Sequence, residues 1–380
     1  MEKLRFLIAP DSFKGSLTSP EVCDAISEGL KKSIKNIEII KISMADGGEG
    51  TASVITSNCN GEMKTLTCIG QMGEVMEVKY GVLKENKTAI LDVASCCGIE
   101  MLDKNIRTPI ITSSRVVGEV ISFLLDDGYR KFIIGLGGSG TNDGGVGMLQ
   151  YLGARFVDNR GNDINPIGGE LINIYDISLD KLDERLHKSE FIIACDVNNP
   201  IIGKNGATHV FARQKGATDE EVDILELGMM NYVNKLMEKC NIDISNIPGA
   251  GAAGGLGGAF YLLNGKMSSG IDIILELSNF EEKLESCDII ITGEGSIDNQ
   301  TKYGKTISGI AKRVKNTNKI MIVLAGCVED DIDDLYDIGI TSIFSIQDKP
   351  KTLERAIADG YKSLVKSSEN IGRIILKLLQ

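Results

Sequence analysis

The chain has 380 residues, 53 acidic against 41 basic side chains, a formal net charge of −12, and 42% hydrophobic and 25% charged content. That length favours two or three domains with an ample core, and the composition is that of a soluble globular protein. The negative balance argues against nucleic acid as the main partner, because phosphate recognition needs a basic footprint, and no segment reaches the roughly 18 apolar residues of a membrane span. The nine cysteines include no C-x-x-C pair. Together with a first apolar run too short for a leader, this predicts a cytoplasmic protein with reduced, mostly buried thiols, the adjacent Cys96-Cys97 among them. With only His187 and His209 in the chain, the sequence argues against His-based acid/base work and against a multi-His metal site.

In chain order, Leu4–Ala9 is a buried-strand run closed by Pro10, and a helix runs to about Ser33 with Ser19 as N-cap and Pro20 in its first turn. Ile37–Ile42 is a second strand, followed by the glycine-acid loop Met44–Thr51. Met63–Ile69, Val75–Val82 and Thr88–Val93 then form a meander and not a βαβ repeat. A helix over 113–127, the strand Phe132–Ile134 and the block Gly135–Gly145 come next, with Val146–Leu152 helical behind the block. Phe191–Cys195 is a strand, 218–239 an amphipathic helix, and Pro248–Gly258 a glycine cluster too apolar for a linker. From Asp288 the βα rhythm returns: strands Asp288–Ile291, Ile320–Ala325 and Thr341–Ile346, a helix over 305–315, and one long helix over 352–378. The expected fold is α/β with two domains. A doubly wound, flavodoxin/Rossmann-like parallel-sheet domain takes residues 1–60 plus 280–380, and a mixed α/β domain, 61–279, is inserted into it.

The glycine loops fall where such sheets bind ligands, beyond the carboxyl ends of strands. Gly135–Gly145 suggests an anion cradle: glycine N–H groups, a helix N-terminus, and Ser139, Asn142 and Asp143 at the lip. Taken literally, Gly135, Gly137 and Gly140 also fit G-x-G-x-x-G with Asp158 18 residues on, a dinucleotide fingerprint and hence an alternative NAD-dependent oxidoreductase. A structural glycine turn is a third reading. Lys14, in Asp11–Ser16, suits an anion as a point charge, and Asp46 and Glu49 among glycines offer oxygens to Mg²⁺, although each loop alone could be a plain capped or acidic turn. Asp196 and Asn198 end another strand, Arg213 and Lys215 supply positive charge beside Gly216, and Glu294 and Asp298 follow the strand at Asp288–Ile291. Five strand ends carrying glycine with Asp, Asn or Lys fit phosphoryl transfer: lysines and N–H groups for phosphates, carboxylates for the metal, and an Asp for the hydroxyl proton.

At these residues the chain resembles the bacterial glycerate kinase family, of the glycerate 2-kinase type. The motifs are Ala9–Ser16, Met44–Thr51, Gly137–Gly145, Ala194–Pro200, Gln214–Ala217, Pro248–Gly258 and Thr292–Gly295 with Asp298, in family order over essentially the whole chain. The resemblance implies ATP- and Mg²⁺-dependent phosphorylation of D-glycerate, to 2-phosphoglycerate, at a cleft between two α/β domains. A kinase of a related small hydroxy acid and a non-catalytic sensor are the alternatives it leaves. It implies Asp196, Lys14, Asp46 and Lys215 as catalytic residues, with Asp46 and Asp298 toward the metal. Asp11, Ser12, Gly47, Gly48, Glu49, Gly138, Ser139, Thr141, Asn142, Asp143, Asn198, Arg213, Glu294 and Asp298 would contact substrate or nucleotide. Its partners would be D-glycerate and ATP, with no nucleic acid and no membrane; a homodimer is allowed. The chain departs from the family pattern at Arg115, Gly140, Ile307 and Ser296, where Arg is common, and at Arg213, which could supply the missing guanidinium.

Overall fold

The computed structural model describes residues 3–45, 47–48, 50–105, 107–298, 301 and 305–378, with Lys305 described by its backbone alone. Two of the expected site residues, Asp46 and Glu49, lie outside the described residues. In chain order the elements begin with β1 (Leu4–Ile8), α1 (Ser19–Ser33), β2 (Ile37–Lys41), α2 (Thr51–Asn58), β3 (Glu62–Ile69), β4 (Val75–Leu83) and β5 (Thr88–Asp92). They continue with α3 (Arg115–Asp126), β6 (Lys131–Gly135), α4 (Val146–Tyr151), β7 (Arg155–Val157), β8 (Asp176–Ser178), β9 (Glu190–Ala194), α5 (Asp219–Cys240) and β10 (Lys266–Ser268). The chain ends with β11 (Ile289–Ile297), α6 (Lys305–Val314), β12 (Ile320–Val328), β13 (Ser342–Ser345), α7 (Leu353–Ala358) and α8 (Gly360–Leu378).

The fold is α/β, in two compact units. One comprises Met1–Asp46, Ser57–Cys59 and Ile271–Gln380; the other comprises Gly47–Thr56 and Asn60–Gly270. The first unit is built on a fully parallel five-stranded sheet ordered β13-β12-β11-β1-β2. The strand order reverses at the β1–β11 pair, which is where ligands bind in doubly wound sheets. Phe6, Leu7 and Ile8 are wholly buried, as an interior parallel strand covered on both faces requires. α1 packs Val22, Ile26 and Leu30 into a core with Ile291, Leu324 and Leu364.

The second unit has a six-stranded mixed sheet ordered β10-β9-β6-β5-β4-β3. β5, β6, β9 and β10 run parallel, while β3, β4 and β5 form the antiparallel meander expected from the sequence. Phe132 stacks on Phe191 at 4.9 Å between ring centroids in its core. Among the described residues no helix is long and apolar enough to cross a membrane.

Three local expectations change. The N-cap of α1 is Thr18, whose N–H donates to Glu21 Oε2 at 2.8 Å. Ser19 is instead buried, donating to Pro10 O (2.7 Å) and accepting from Met44 N (2.9 Å), so it ties the chain after β1 to the chain after β2. The strand expected to stop at Ile291 continues through Thr292-Gly293-Glu294-Gly295-Ser296 to Ile297, because β12 is equally long and pairs with it as far as Ile297–Val328. The single C-terminal helix is two, α7 and α8, separated at Asp359.

Candidate active site

In the second unit, β5, β6 and β9 finish level: Asp92 pairs with Gly135 and Gly135 with Ala194. Gly138–Asp143 follow directly from the end of β6 and Asp196–Asn198 from the end of β9, while Arg213 and Lys215 come from the short turn Arg213–Lys215 further along the chain. The Gly47-Gly48 backbone lies against these strand ends, which explains two glycines. A Cβ at Gly135 would stand 3.1 Å from Gly47 O, and one at Gly137 only 2.5 Å from Gly48 Cα. Asp92, buried at the end of a fully buried strand, accepts from Gly50 N and Ala52 N at 3.0 Å each and so fixes this loop and the start of α2. Asp92 escaped the sequence reading because no glycine stands beside it; an acid closing an all-apolar run was the available signal.

The Gly135–Gly145 block is built differently from an open cradle. The carboxylate of Asp143 is wholly buried and accepts from Ser114 N and Ser114 Oγ (2.7 Å each), Gly145 N (3.0 Å) and Gly147 N (3.2 Å). Its oxygens therefore occupy the N–H groups at the start of α4, and the expectation of a helix N-terminus open to a ligand is corrected. Burial raises the Asp143 carboxyl above its ordinary value, opposed by those same donors. The dinucleotide fingerprint fails on the same geometry. The face of Gly137 that a pyrophosphate would approach meets Gly48, and Asp158, the would-be ribose acid, closes its own turn by accepting from Arg160 N (2.8 Å) and Asn162 N (2.9 Å).

What the block exposes is the backbone at Gly138, with φ +74°, braced by Ile99 N donating to Gly138 O at 2.9 Å. Behind it sits Lys215, at 3% exposure the most buried lysine of the site. Its Nζ donates to Ser139 Oγ at 2.9 Å and to Thr141 O at 2.8 Å. Burial pushes the amine down from 10.5 to about 8, with Cys97 and Asp143 acting in the opposite sense. The lysine is held there by the short turn Arg213–Lys215 and by Gly216, whose φ of +99° and closeness to Arg107 O (2.2 Å from a would-be Cβ) leave room for no side chain. Asn142 is fully buried; its Nδ2 donates to Thr208 Oγ1 at 3.1 Å, and among the described residues no donor reaches its Oδ1.

At the rim, Asp196 is exposed, accepts from Gly270 N at 3.2 Å, and has its Oδ2 3.3 Å from the place of a Gly47 Cβ. Asn198 is exposed on the same segment. Arg213 turns its guanidinium to Asp219 (Nε 2.9 Å, Nη2 2.8 Å), an exposed pair. The Cys96 and Cys97 thiols are buried and pushed up, Cys97 to about 12, so they are protonated and inert near neutral pH.

In the first unit, Asp11, Ser12 and Lys14 follow β1 and lie beside β11. Asp11 N donates to Gly293 O (2.9 Å), and Asp11 Oδ2 accepts from Thr306 Oγ1 (2.7 Å). A Cβ at Gly295 would sit 3.4 Å from Lys14 N. Ser12 and Lys14 are exposed on this turn. Glu294 and Asp298 converge on Thr301, whose Oγ1 donates to Glu294 Oε1 at 3.0 Å and whose N–H donates to Asp298 Oδ1 at 3.1 Å. Among the described residues no three His, Cys, Asp or Glu side chains gather as a metal cage. A nucleotide-bound Mg²⁺ takes only one or two protein carboxylates and fills its shell with phosphate and water oxygens, so the Glu294–Asp298 pair fits it.

The chain's likeness to known proteins agrees with this chemistry. The glycerate kinase family profile matches residues 6–376. A glycerate kinase of Bacillus cereus is 40% identical over 372 residues, covering 98% of both chains. A glycerate 2-kinase of Escherichia coli is 37% identical, covering 97% of both. The crystal structure assigned as glycerate kinase 2 from Salmonella typhimurium LT2 superposes with a TM-score of 0.90 at 35% identity, covering 100% of both chains. On matches of this extent, the chain is a kinase and belongs to the glycerate kinase family.

Proposed function

We propose that the chain transfers the γ-phosphoryl group of ATP to a hydroxyl of D-glycerate, giving 2-phosphoglycerate, with Mg²⁺ on the nucleotide, in the cytoplasm. The observation that carries this reading is Lys215: an amine buried behind Ser139 and Thr141, at the end of three level parallel strands, with the Asp196 carboxylate on the rim of the same loop cluster. A buried cation that folding must pay to desolvate, with a depressed pKa and no carboxylate paired to it among the described residues, marks a functional position. The 2-position as acceptor is supported by the name of the E. coli relative.

In this mechanism the exposed Gly138 backbone and Ser139 receive an anionic group, and Lys215 behind them offsets charge as the phosphoryl group is transferred. Asp196 orients the attacking hydroxyl and takes its proton. Glu294 and Asp298 would hold Mg²⁺, with Asp46 as a further ligand; the metal supplies charge neutralisation on the phosphate oxygens. Lys14 adds a mobile positive charge for phosphate. Purified protein should convert ATP and D-glycerate to ADP and 2-phosphoglycerate, identified by its phosphorus NMR signal, with L-glycerate a poor substrate. Binding of D-glycerate without turnover would establish a sensor in place of the kinase, and a 3-phosphoglycerate signal would refute the assigned regiochemistry.

A further inference from the structure

The second unit holds a further cation beside Lys215 that the phosphoryl chemistry above does not use. In the sequence Arg107 lies between Leu102 and Thr112, and both of these touch the glycine block. A Cβ at Gly140 would stand 3.1 Å from Leu102 Cδ1, and Thr112 Oγ1 donates to Gly140 O at 3.1 Å. Arg107 itself lies on Gly216, the residue after Lys215. A Cβ at Gly216 would fall 2.8 Å from Arg107 Cγ as well as 2.2 Å from Arg107 O, so glycine at 216 makes room for the stem of this arginine. Arg107 N donates to Asp103 O at 2.9 Å, which fixes the backbone at this place. Arg107 is partly buried, and among the described residues it is the only arginine in that state whose guanidinium has no ion pair, hydrogen bond or ring contact. Asp103, the acid nearest to it in sequence, is engaged elsewhere, accepting from Asn105 N at 2.9 Å and Asn105 Nδ2 at 3.0 Å. Arg213, on the same turn as Lys215, is tied to Asp219. In a chain of net charge −12, two cations therefore adjoin one glycine, and neither pairs with a carboxylate among the described residues. Taking charge out of water without a counter-charge is costly, and a site that does so twice is one prepared for an incoming anion.

We infer that Arg107 binds the carboxylate of the glycerate substrate. The inference rests on the kinase reading and adds to it the group that recognises the acid. Two separate negative charges meet in the reaction, the substrate carboxylate and the phosphoryl group in transfer, and the two cations suit them differently. An ammonium is a point charge, fit for a phosphoryl group whose oxygens shift during transfer. A guanidinium is a planar fork that donates to both oxygens of a carboxylate at once. In glycerate the 2-hydroxyl stands on the carbon that bears the carboxylate, so a two-point grip on the acid also aims that hydroxyl. The same grip selects. An uncharged analogue of the same size leaves the guanidinium partly buried and unpaired, which costs the complex what the acid would have gained.

Arg107→Gln keeps the stem over Gly216 and removes the charge. It should raise the KM for D-glycerate about 10- to 100-fold, the worth of a charge-assisted hydrogen-bond pair, and leave the KM for ATP and the urea midpoint as they were. Arg107→Lys, which keeps the charge without the fork, should recover only part of the loss. The substrate supplies the converse test: wild type should prefer D-glycerate to the uncharged D-glyceramide, and Arg107→Gln should erase most of that preference. A raised ATP KM with an unchanged glycerate KM would assign the guanidinium to the nucleotide phosphates and overturn the inference. An unchanged KM for both substrates would overturn it as well, and so would a wild type that turns over the amide as readily as the acid, a result that stands even where a variant fails to fold. Absence of turnover in wild type would overturn the kinase reading instead. Calorimetric titration of D-glycerate into wild type and Arg107→Gln would then decide the carboxylate site by itself, weaker binding to the variant supporting it and equal binding refuting it.

Discussion

Replacing Lys215 with methionine should separate stability from activity, in amounts that follow from its surroundings. Methionine keeps the length and removes the charge. In the folded protein burial lowers the amine from 10.5 to about 8, a gap worth about 3 kcal/mol. Because the folded value lies below the unfolded one, the sign is a penalty. Below about pH 8 both states carry the proton and folding bears the full desolvation cost; the cost fades as pH rises toward about 10.5, above which both states are neutral. The mutant escapes this penalty and loses the bonds to Ser139 Oγ and Thr141 O. At roughly 1 kcal/mol each, with Thr141 O left buried, that loss is about 2–3 kcal/mol. Near pH 7 the two effects offset and Lys215→Met should lie within about 1 kcal/mol of wild type.

Between about pH 7 and about pH 9.5 the wild type should gain about 2 kcal/mol relative to the mutant, because the interval covers some 1.5 pH units above the folded value. Urea unfolding of both proteins at the two pH values measures the difference, and groups common to both cancel. Activity behaves oppositely. Loss of the cation should lower kcat by about 10²–10³, the effect of removing one preorganised electrostatic contact, and wild-type kcat should decline as pH rises through about 8, where the amine loses its proton. Parallel stability curves for the two proteins would refute the buried-cation reasoning, and a mutant with near-normal kcat would remove Lys215 from the chemistry.

Other substitutions test the rest of the cluster. Asp196→Asn should lower kcat by about 10²–10⁴ with little change in stability, since the carboxylate is exposed; a kcat within a few fold of wild type would mean that another group takes the proton. Gly137→Ala places a Cβ 2.5 Å from Gly48 Cα and should destabilise by about 1–3 kcal/mol in thermal melts; a melt unchanged from wild type would show that the Gly48 backbone moves aside freely. Asp92→Ala strips the acceptor from Gly50 N and Ala52 N and should cost about 2–4 kcal/mol while raising the glycerate KM through the loosened Gly47–Gly50 loop; Asp92→Asn should recover part of both. Arg213→Ala should leave the glycerate KM unchanged if the guanidinium serves only Asp219, and a raised KM would show that it reaches the substrate instead.

How much of this was legible in the sequence depended on whether the signal was local. The meander over 62–93, the strands leading to the loops at Met44–Thr51, Gly135–Gly145 and Asp196–Pro200 and the helix over 218–239 show their own periodicity, and each formed close to where expected. β11 did not stop at Ile291, because Gly293-Glu294-Gly295 has the composition of a loop and only the ladder to β12 makes it a strand. The same limit governs the site. Glycine and acid at a strand end are visible in one dimension, but whether the glycine admits a ligand or another backbone is not. Gly137 serves Gly48, Gly216 serves Arg107, and Asp143 serves the start of α4. Sequence therefore reads as surface what the structure holds as the inner layer of these loops.

That inversion has a physical logic. A loop that must hold a buried ammonium behind an exposed backbone turn needs its own framework fixed first, and a carboxylate bound to four donors is a rigid way of doing so. Asp143 and Lys215 are both buried near Thr141, yet the lysine bonds a hydroxyl and a carbonyl and not the acid. Had the two paired directly, each would have neutralised the other, and the lysine's charge would be spent inside the fold. Satisfying Asp143 with Ser114, Gly145 and Gly147 leaves the positive charge of Lys215 directed at Ser139 beside the exposed Gly138 turn, as the proposed phosphoryl transfer requires. Ser114→Ala tests this arrangement, since it removes one donor to Asp143 without touching Lys215. The freed carboxylate oxygen should then draw the ammonium inward, so that the alkaline limb of the kcat profile moves above about pH 8 while kcat itself falls. A limb that stays in place would show that Asp143 holds the loop together but has no hold on the charge of Lys215.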